Sequence, residues 1–128
     1  MKLELYWEED DGQLVPRCHS DDVNSDGINL VSCLLMDDGG IPYQETVQWI
    51  EEGVEKVEAI SNDSNSSLDW SREAWGASLT PEVTKVYSLH DEEYFSEIST
   101  SEFKEILTMW RDFIKSTPDL NDRRCKES

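Results

Sequence analysis

The strongest periodic pattern in the chain lies between residues 99 and 116. Its apolar side chains recur at steps of three and four residues, at Phe103, Ile106, Leu107, Trp110, Phe113 and Ile114. This spacing places them on one face of an α-helix. Ser99 is a favourable N-cap residue, Glu102 follows it at the capping-box spacing, and Pro118 ends the pattern. The pattern predicts an amphipathic helix that packs on a sheet or on another helix.

A second helical pattern covers residues 43–60. Its apolar positions are spaced three and four apart, at Val47, Ile50, Val54 and Val57. Acidic residues fill the remaining positions, at Glu45, Glu51, Glu52, Glu55 and Glu58. The spacing predicts an amphipathic helix with an acidic outer face, in spite of the helix-weakening Gly53.

The N-terminal third of the chain has the pattern of strands. Apolar and polar positions alternate at its start, with apolar residues at Leu3, Leu5 and Trp7. This alternation predicts a first strand with one buried face. A short second strand at residues 14–15 is restricted by Pro16 to a sheet edge or a loop. Residues 28–36 are mostly apolar without alternation, and their short length and flanking glycines favour a buried central strand over a helix.

The later residues predict further strands with short links. Residues 83–88 alternate, and residues 94–98 predict a last strand that leads into the C-terminal helix. Residues 68–80 show no clear period, and they are interpreted as a strand or short helix followed by a turn at Gly76. Residues 118–128 are polar, and a frayed tail is predicted for them.

Together these elements predict an α+β fold. We expect a mostly antiparallel sheet of about four or five strands, covered by the two amphipathic helices. We expect residues 1–117 to form a single domain, because two units on either side of the polar stretch 61–67 would each be marginally stable.

The charge of the chain narrows its possible partners. The 128 residues include 29 Asp and Glu against 11 Lys and Arg, a net charge of −18. Residues 1–110 hold 25 of the acidic and six of the basic residues, a net of −19. So negative a surface repels nucleic acid and anionic membranes. It favours a basic protein partner, and the alternative is that the charge serves only solubility or adaptation to salt.

Tryptophans lie among the acids of the middle of the chain, at Trp49, Trp70 and Trp75. Protein interfaces favour aromatic anchors within a polar rim, although large aromatics also fill cores. We expect the partner-binding patch to combine the outer face of the 43–60 helix with the neighbourhood of Trp70. The predicted patch consists of Glu51, Glu52, Glu55, Glu58, Asp69, Trp70 and Glu73.

One segment has part of a calcium-binding pattern. Asp22, Asn24 and Asp26, followed by Gly27, match the first half of an EF-hand loop. Cys33 stands where that loop has its bidentate Glu. We therefore interpret the segment as an acidic turn and predict no metal site, with these three side chains as the weaker alternative.

Other candidate chemistry lacks the spacing that it requires. Cys18, His19, Cys33 and His90 supply zinc-ligand types, but no pair has the spacing of a zinc motif. His90, followed by three acids, is the best general base by residue type. The chain has no nucleophile elbow, zinc-protease motif or phosphate loop. We expect neither an enzyme nor a cofactor.

The ends and the cysteines indicate a cytoplasmic protein. The first residues, MKLELYWEEDD, turn acidic at once and lack the apolar core of a signal peptide. No stretch approaches the roughly 20 apolar residues of a membrane span. The three cysteines are an odd number without a CxxC pair, which favours free thiols in a reducing compartment.

Residues 91–115, DEEYFSEISTSEFKEILTMWRDFIK, resemble segments of immunity proteins from bacterial polymorphic toxin and contact-dependent growth inhibition systems. The shared features are the hydrophobic spacing from Ile98 to Ile114 and the small, acidic α+β character of the chain. The resemblance implies a cytoplasmic inhibitor that binds a cognate toxin, often a basic nuclease, and occludes its active site. The alternatives are a calcium-dependent or other small acidic protein-binding module and, less favoured, a small enzyme.

Overall fold

The computed structural model describes residues 1–37, 43–62 and 67–126. Within these residues the helices are Leu30–Met36 (α1), Tyr43–Ser61 (α2) and Thr100–Lys115 (α3). The strands are Leu3–Asp10 (β1), Gln13–His19 (β2), Leu68–Ser71 (β3), Trp75–Leu79 (β4), Val83–Ser88 (β5), Asp91–Ser99 (β6) and Arg124–Lys126 (β7). Residues 38–40, with the glycines that follow the 28–36 segment, and most of the 61–67 stretch lie outside the described residues.

The strands form two antiparallel sheets rather than the one sheet expected. One sheet has three strands in the order β2-β1-β7, and the other has four in the order β3-β4-β5-β6. The α+β class is therefore confirmed, with a third, short helix and a divided sheet. The sheet is divided because β1 pairs with β2 on one side and with the C-terminal β7 on the other, so neither edge of β1 is left for strands β3–β6. β2 contains Pro16 and lies at a sheet edge, as predicted.

The two long helices are confirmed, and they contact each other across the core. Ser99 caps α3 by accepting a hydrogen bond from the Glu102 backbone N–H at 3.1 Å. All six residues of the predicted apolar stripe of α3 are buried. The ring of Phe113 stacks on Trp7 of β1 at a centroid distance of 5.0 Å. This helix therefore packs against the three-stranded sheet and α2.

The expected central strand at residues 28–36 is wrong, because the segment forms α1. Asn29 supplies the N-cap, and its side-chain oxygen accepts the Ser32 backbone N–H at 2.9 Å. The buried residues Leu30, Val31, Leu34 and Leu35 then repeat at helical spacing. A helix of seven residues contains too few repeats of the helical spacing to be recognised in the sequence. Its short length therefore favoured the strand prediction.

Residues 68–80 form the hairpin β3–β4, which corrects the expected turn at Gly76. Gly76 lies inside β4 and pairs with Ser71 and Tyr87. The turn comes earlier, between Ser71 and Trp75. Asp37, at the end of α1, supports it, because its carboxylate accepts the backbone N–H groups of Ala74 and Trp75 at 2.8 and 3.1 Å.

The tail is not frayed at residues 124–126, which form β7 against β1. Basic side chains in and next to this strand also make ion pairs with acids that are distant in the chain. Arg123 binds Glu4 at 2.8 Å, and Lys126 binds Glu105 of α3 at 3.3 Å. A segment that is polar by sequence is thus held by backbone pairing and by acids that are distant in the chain.

Candidate functional site

The outer face of α2 carries the acidic side chains that the sequence predicts. Glu52, Glu55 and Glu58 are exposed, while Glu51 is half-buried and binds Lys115 of α3 at 2.6 Å. The Glu52 carboxylate lies 4.0 Å from Lys56. Glu55 and Glu58 form no ion pair with any described residue. The helix therefore presents carboxylates for which the described part of the chain supplies no counter-ion.

The structure joins this helix face to the first strand of the four-stranded sheet. Lys56 donates a hydrogen bond from its ammonium to the backbone oxygen of Asp69 at 3.0 Å. Asp69 is exposed, so its carboxylate continues the acidic surface from Glu52. Glu73 is also exposed but lies in the β3–β4 turn, and the neighbouring Arg72 stacks on Trp49 at 5.1 Å. Glu73 is thus near the N-terminal part of α2, away from Glu58.

Trp70 does not offer its ring to a partner, which corrects its expected role as an aromatic anchor. It is 2 % exposed and stacks on Trp49 with a centroid distance of 4.1 Å and an interplanar angle of 19°. Trp49 is 7 % exposed and donates its indole N–H to the Ser71 backbone oxygen at 2.9 Å. Trp75 is half-buried beside Tyr94. Trp49 and Trp70 therefore fill the core between α2 and β3.

Sequence reasoning missed the exposed aromatic surface, which lies on the four-stranded sheet. Residues paired across the strands share a face, and one row runs Asp69, Ser78, Lys85 and Glu97. The next row contains Gly76, Tyr87 and Phe95. Phe95 is 44 % exposed and Tyr87 is half-buried. The alternation in β5 separates these side chains from Thr84 and Val86, but it does not say which set faces the core.

A small cavity lies on this same sheet face. Its volume is about 220 Å³, and it is lined by Asp69, Ser78, Lys85, Tyr87 and Glu92. The register of β5 and β6 shifts between Tyr87 and Ser88, and the extra residues of β6 include Glu92. Such bulges re-aim side chains. Burial raises the pKa of Tyr87, and the carboxylates of Asp69 and Glu92 raise it further. The cavity is therefore both aromatic and negative.

The segment with the partial calcium pattern forms a turn held by its own hydrogen bonds. The side-chain oxygen of Asn24 accepts the backbone N–H groups of Asp26 and Ile28 at 2.9 and 3.1 Å. Its amide donates to the Tyr94 hydroxyl, which in turn donates to the Asp26 carboxylate at 3.1 Å. Gly27 follows at φ 78°. These bonds dock the turn on β6.

Three of the candidate zinc residues, Cys18, His19 and Cys33, line one cavity of about 240 Å³, whereas His90 lies elsewhere. Cys18 is buried, with its sulfur 3.7 Å from the Ser32 backbone oxygen, whereas His19 is exposed and binds Asp21 at 3.1 Å. Burial raises the pKa of the Cys18 thiol to about 12. His90 is exposed in the β5–β6 turn. Across residues 1–37, 43–62 and 67–126, no three His, Cys, Asp or Glu side chains form a group able to hold a metal ion.

None of the helices in the described part of the chain has both the length and the apolar character needed to cross a membrane. The 19-residue α2, for example, carries five glutamates. Comparisons with protein-family models, curated protein sequences and solved structures find no match.

Proposed function

We propose that this protein binds one basic protein partner through its acidic surface. The observation that carries the proposal is the distribution of counter-ions. Basic residues of the C-terminal region are engaged within the chain, as in the pairs Arg123–Glu4, Lys126–Glu105 and Lys115–Glu51. Glu55 and Glu58 have no such partner among the described residues. The outer face of α2 therefore carries part of the net charge of −18 without a counter-ion among the described residues.

The negative charge of the protein favours a basic protein as its partner over nucleic acids and anionic lipids. A field of this sign accelerates encounter with a cationic protein, and it makes the association sensitive to salt. The same field opposes DNA, RNA and anionic lipids, because their binding depends on neutralising phosphates with cations.

The resemblance of residues 91–115 to immunity proteins supports a more specific form of the proposal. In this form the protein is a cytoplasmic inhibitor of a cognate toxin, and the toxin is a basic nuclease. A nuclease presents cations to the phosphates of its substrate. Carboxylates of an inhibitor can occupy those cations and so exclude the substrate from the active site.

The test is a binding measurement with the purified product of the gene adjacent to its own. Binding is expected at about 0.05 M salt and to weaken at about 0.5 M, where screening shortens the range of the charges. The variant Glu52→Lys/Glu55→Lys is expected to bind more weakly. If the charges only steer, association slows; if they are buried against partner cations, dissociation quickens and the loss is about 2–5 kcal/mol.

A matched control keeps the net charge change and moves it elsewhere. Glu9→Lys/Glu82→Lys reverses two exposed carboxylates in the β1–β2 hairpin and before β5. This control is expected to bind more tightly than the α2 variant. Absence of binding, binding only to an acidic protein, or an α2 variant that binds unchanged would remove the proposal.

A further inference from the structure

The four-stranded sheet carries exposed apolar side chains on its β5–β6 hairpin. Five large apolar residues are exposed in the described part of the chain, and three of them belong to the β5–β6 hairpin. Val83 and Leu89 are 38 % exposed and Phe95 is 44 % exposed. Leu89 and Phe95 lie beside Tyr87, at the opposite end of β5 from Val83. Exposed apolar side chains with a polar rim are typical of protein interaction sites.

The central ring of this face is held in place by a glycine. A Cβ atom built on Gly76 would lie 3.0 Å from Cζ and 3.1 Å from the hydroxyl of Tyr87, and 3.2 Å from Leu89. The Tyr87 ring therefore rests directly on the Gly76 backbone, with Leu89 beside it. A ring supported in this way is positioned before any partner arrives, which lowers the entropy lost on binding.

Carboxylates surround this ring. Asp69 and Glu92 line the cavity of about 220 Å³ beside Tyr87, and Glu97 lies across from Lys85 in the adjacent row. Lys85 is the one cation among the residues of these two rows and the cavity. Three carboxylates against one ammonium leave the face negative.

Lys85 also shows what this face accommodates. Its ammonium lies 4.4 Å from the centroid of the Phe95 ring, within the range of a cation–π interaction. One cation of the protein itself therefore already packs on an aromatic ring of this sheet. The neighbouring ring, Tyr87, has two carboxylates beside it and no ring-stacked cation among the described residues.

We propose that the basic partner docks on this sheet face and places an arginine side chain in the cavity between Asp69, Tyr87 and Glu92. The inference rests on the proposed function, because it takes the partner to be a basic protein. Arginine suits the cavity better than lysine, since a planar guanidinium can stack on a ring while it donates to carboxylates. A cavity of this volume is below the about 300–1,000 Å³ of small-molecule sites and suits a single side chain. A second copy of this chain is disfavoured, because its charge of −18 would repel the face.

The test is an NMR titration of the whole protein with N-acetyl-arginine methylamide, a minimal mimic of an arginine side chain on a peptide. Saturable amide shifts are expected at Gly76, Ser78, Tyr87 and Glu92. The neutral isostere N-acetyl-citrulline methylamide is expected to leave them unmoved. Shifts that are equal for both probes, that follow the acidic surface generally, or that centre on α2 would overturn the inference.

Two variants of equal charge sharpen the titration. Asp69→Asn/Glu92→Gln is expected to weaken binding of the arginine probe roughly tenfold, as loss of hydrogen bonds to charged groups implies. Glu9→Gln/Asp11→Asn removes the same charge at exposed positions of the β1–β2 hairpin and is expected to leave the affinity within about twofold. An unchanged affinity in the first variant would contradict the inference.

Binding of the adjacent gene product to variants of this protein distinguishes failure of this inference from failure of the proposed function. Phe95→Ser, at an exposed position, is expected to weaken its binding while circular dichroism stays unchanged. If that protein binds and responds to Glu52→Lys/Glu55→Lys but not to Phe95→Ser or to Asp69→Asn/Glu92→Gln, the sheet face is wrong and the proposed function stands. If it does not bind at all, both fail.

Discussion

The indole ring of Trp70 packs directly on the backbone of Gly53, in the middle of α2. A Cβ atom at Gly53 would come within 2.6 Å of Cε2 of that ring, and closer still to Cζ2. The ring is 2 % exposed and also stacks on Trp49 of the same helix, so a shift away from Gly53 would disturb the core. A residue that weakens helices in isolation is therefore required here by the packing of β3 against α2.

Gly53→Ala is accordingly expected to destabilise the protein. In an exposed helix this change gains about 0.5–1 kcal/mol, but overpacking against Trp70 outweighs the gain, and a net loss of about 1–3 kcal/mol is expected in urea unfolding. In a Trp70→Leu background the same change is expected to cost less, which a double-mutant cycle measures. A stabilising Gly53→Ala in the wild-type background would show that the two residues are not in contact.

Trp110→Ala is expected to lower the free energy of unfolding by about 3–5 kcal/mol, the usual cost of truncating a buried aromatic. Trp110 is 1 % exposed and lies 6.1 Å from the ring of Phe113. Ser101→Ala, at an exposed position of the same helix, serves as the control and is expected to change stability by less than about 0.5 kcal/mol. A loss below about 1 kcal/mol for Trp110→Ala would be inconsistent with a core position.

Asn29→Ala removes the cap of α1 and is expected to cost about 1–2 kcal/mol. The Asn29 amide also donates to the Asp22 backbone oxygen at 2.7 Å, so the residue ties the helix to the preceding turn. Asn29→Asp keeps the capping oxygen and is expected to lose less than the alanine variant. Chemical unfolding measures both, with the exposed Asn121→Ala as control. Equal stability of Asn29→Ala and the wild type would rule out the cap.

Stability is expected to fall in alkali because of Cys18. Burial raises the pKa of its thiol from 9.0 to about 12, so the folded protein favours the protonated form. The resulting stabilisation is complete below about pH 9 and is lost as the pH rises towards 12. The slope is at most about 1.4 kcal/mol per pH unit.

The slope is measured by urea unfolding from pH 8 upwards, with each variant compared with its own value at about pH 8. Cys18→Ala is expected to show a shallower decline than the wild type, whereas Cys125→Ala, which removes an exposed thiol, is expected to keep the wild-type slope. Superimposable profiles for Cys18→Ala and the wild type would contradict the assignment.

The elements that were predicted correctly are those whose sequence signals lie within the element itself. In α3 the cap at Ser99 and the spacing of the apolar residues lie within 16 consecutive positions, and both signals agree. α1 was missed because its seven residues bury neighbouring positions, so the sequence shows a mostly apolar run without a clear helical spacing. β7 was missed because its polar residues have no strand pattern, and only pairing with β1 makes them a strand.

Only part of the candidate site could be predicted, because the sequence shows which residues share a face of an element but not what packs on that face. The acidic face of α2 follows from periodicity, which says which residues share a helix face. The burial of Trp70 depends on Gly53, which is distant in sequence. The exposure of Tyr87 depends on which face of β5 turns inward, and that choice is made by contacts such as the 2.9 Å hydrogen bond between the Thr84 and Thr100 hydroxyls. Alternation alone cannot supply this information.

The most direct test of the proposed neutralising role is growth of a bacterial host that expresses the adjacent gene product. That product alone is expected to arrest growth, and co-expression of this protein is expected to restore it. Glu52→Lys/Glu55→Lys is expected to protect less well than Glu9→Lys/Glu82→Lys at equal expression. Growth arrest that this protein does not relieve, or equal protection by the two variants, would contradict neutralisation through the acidic surface.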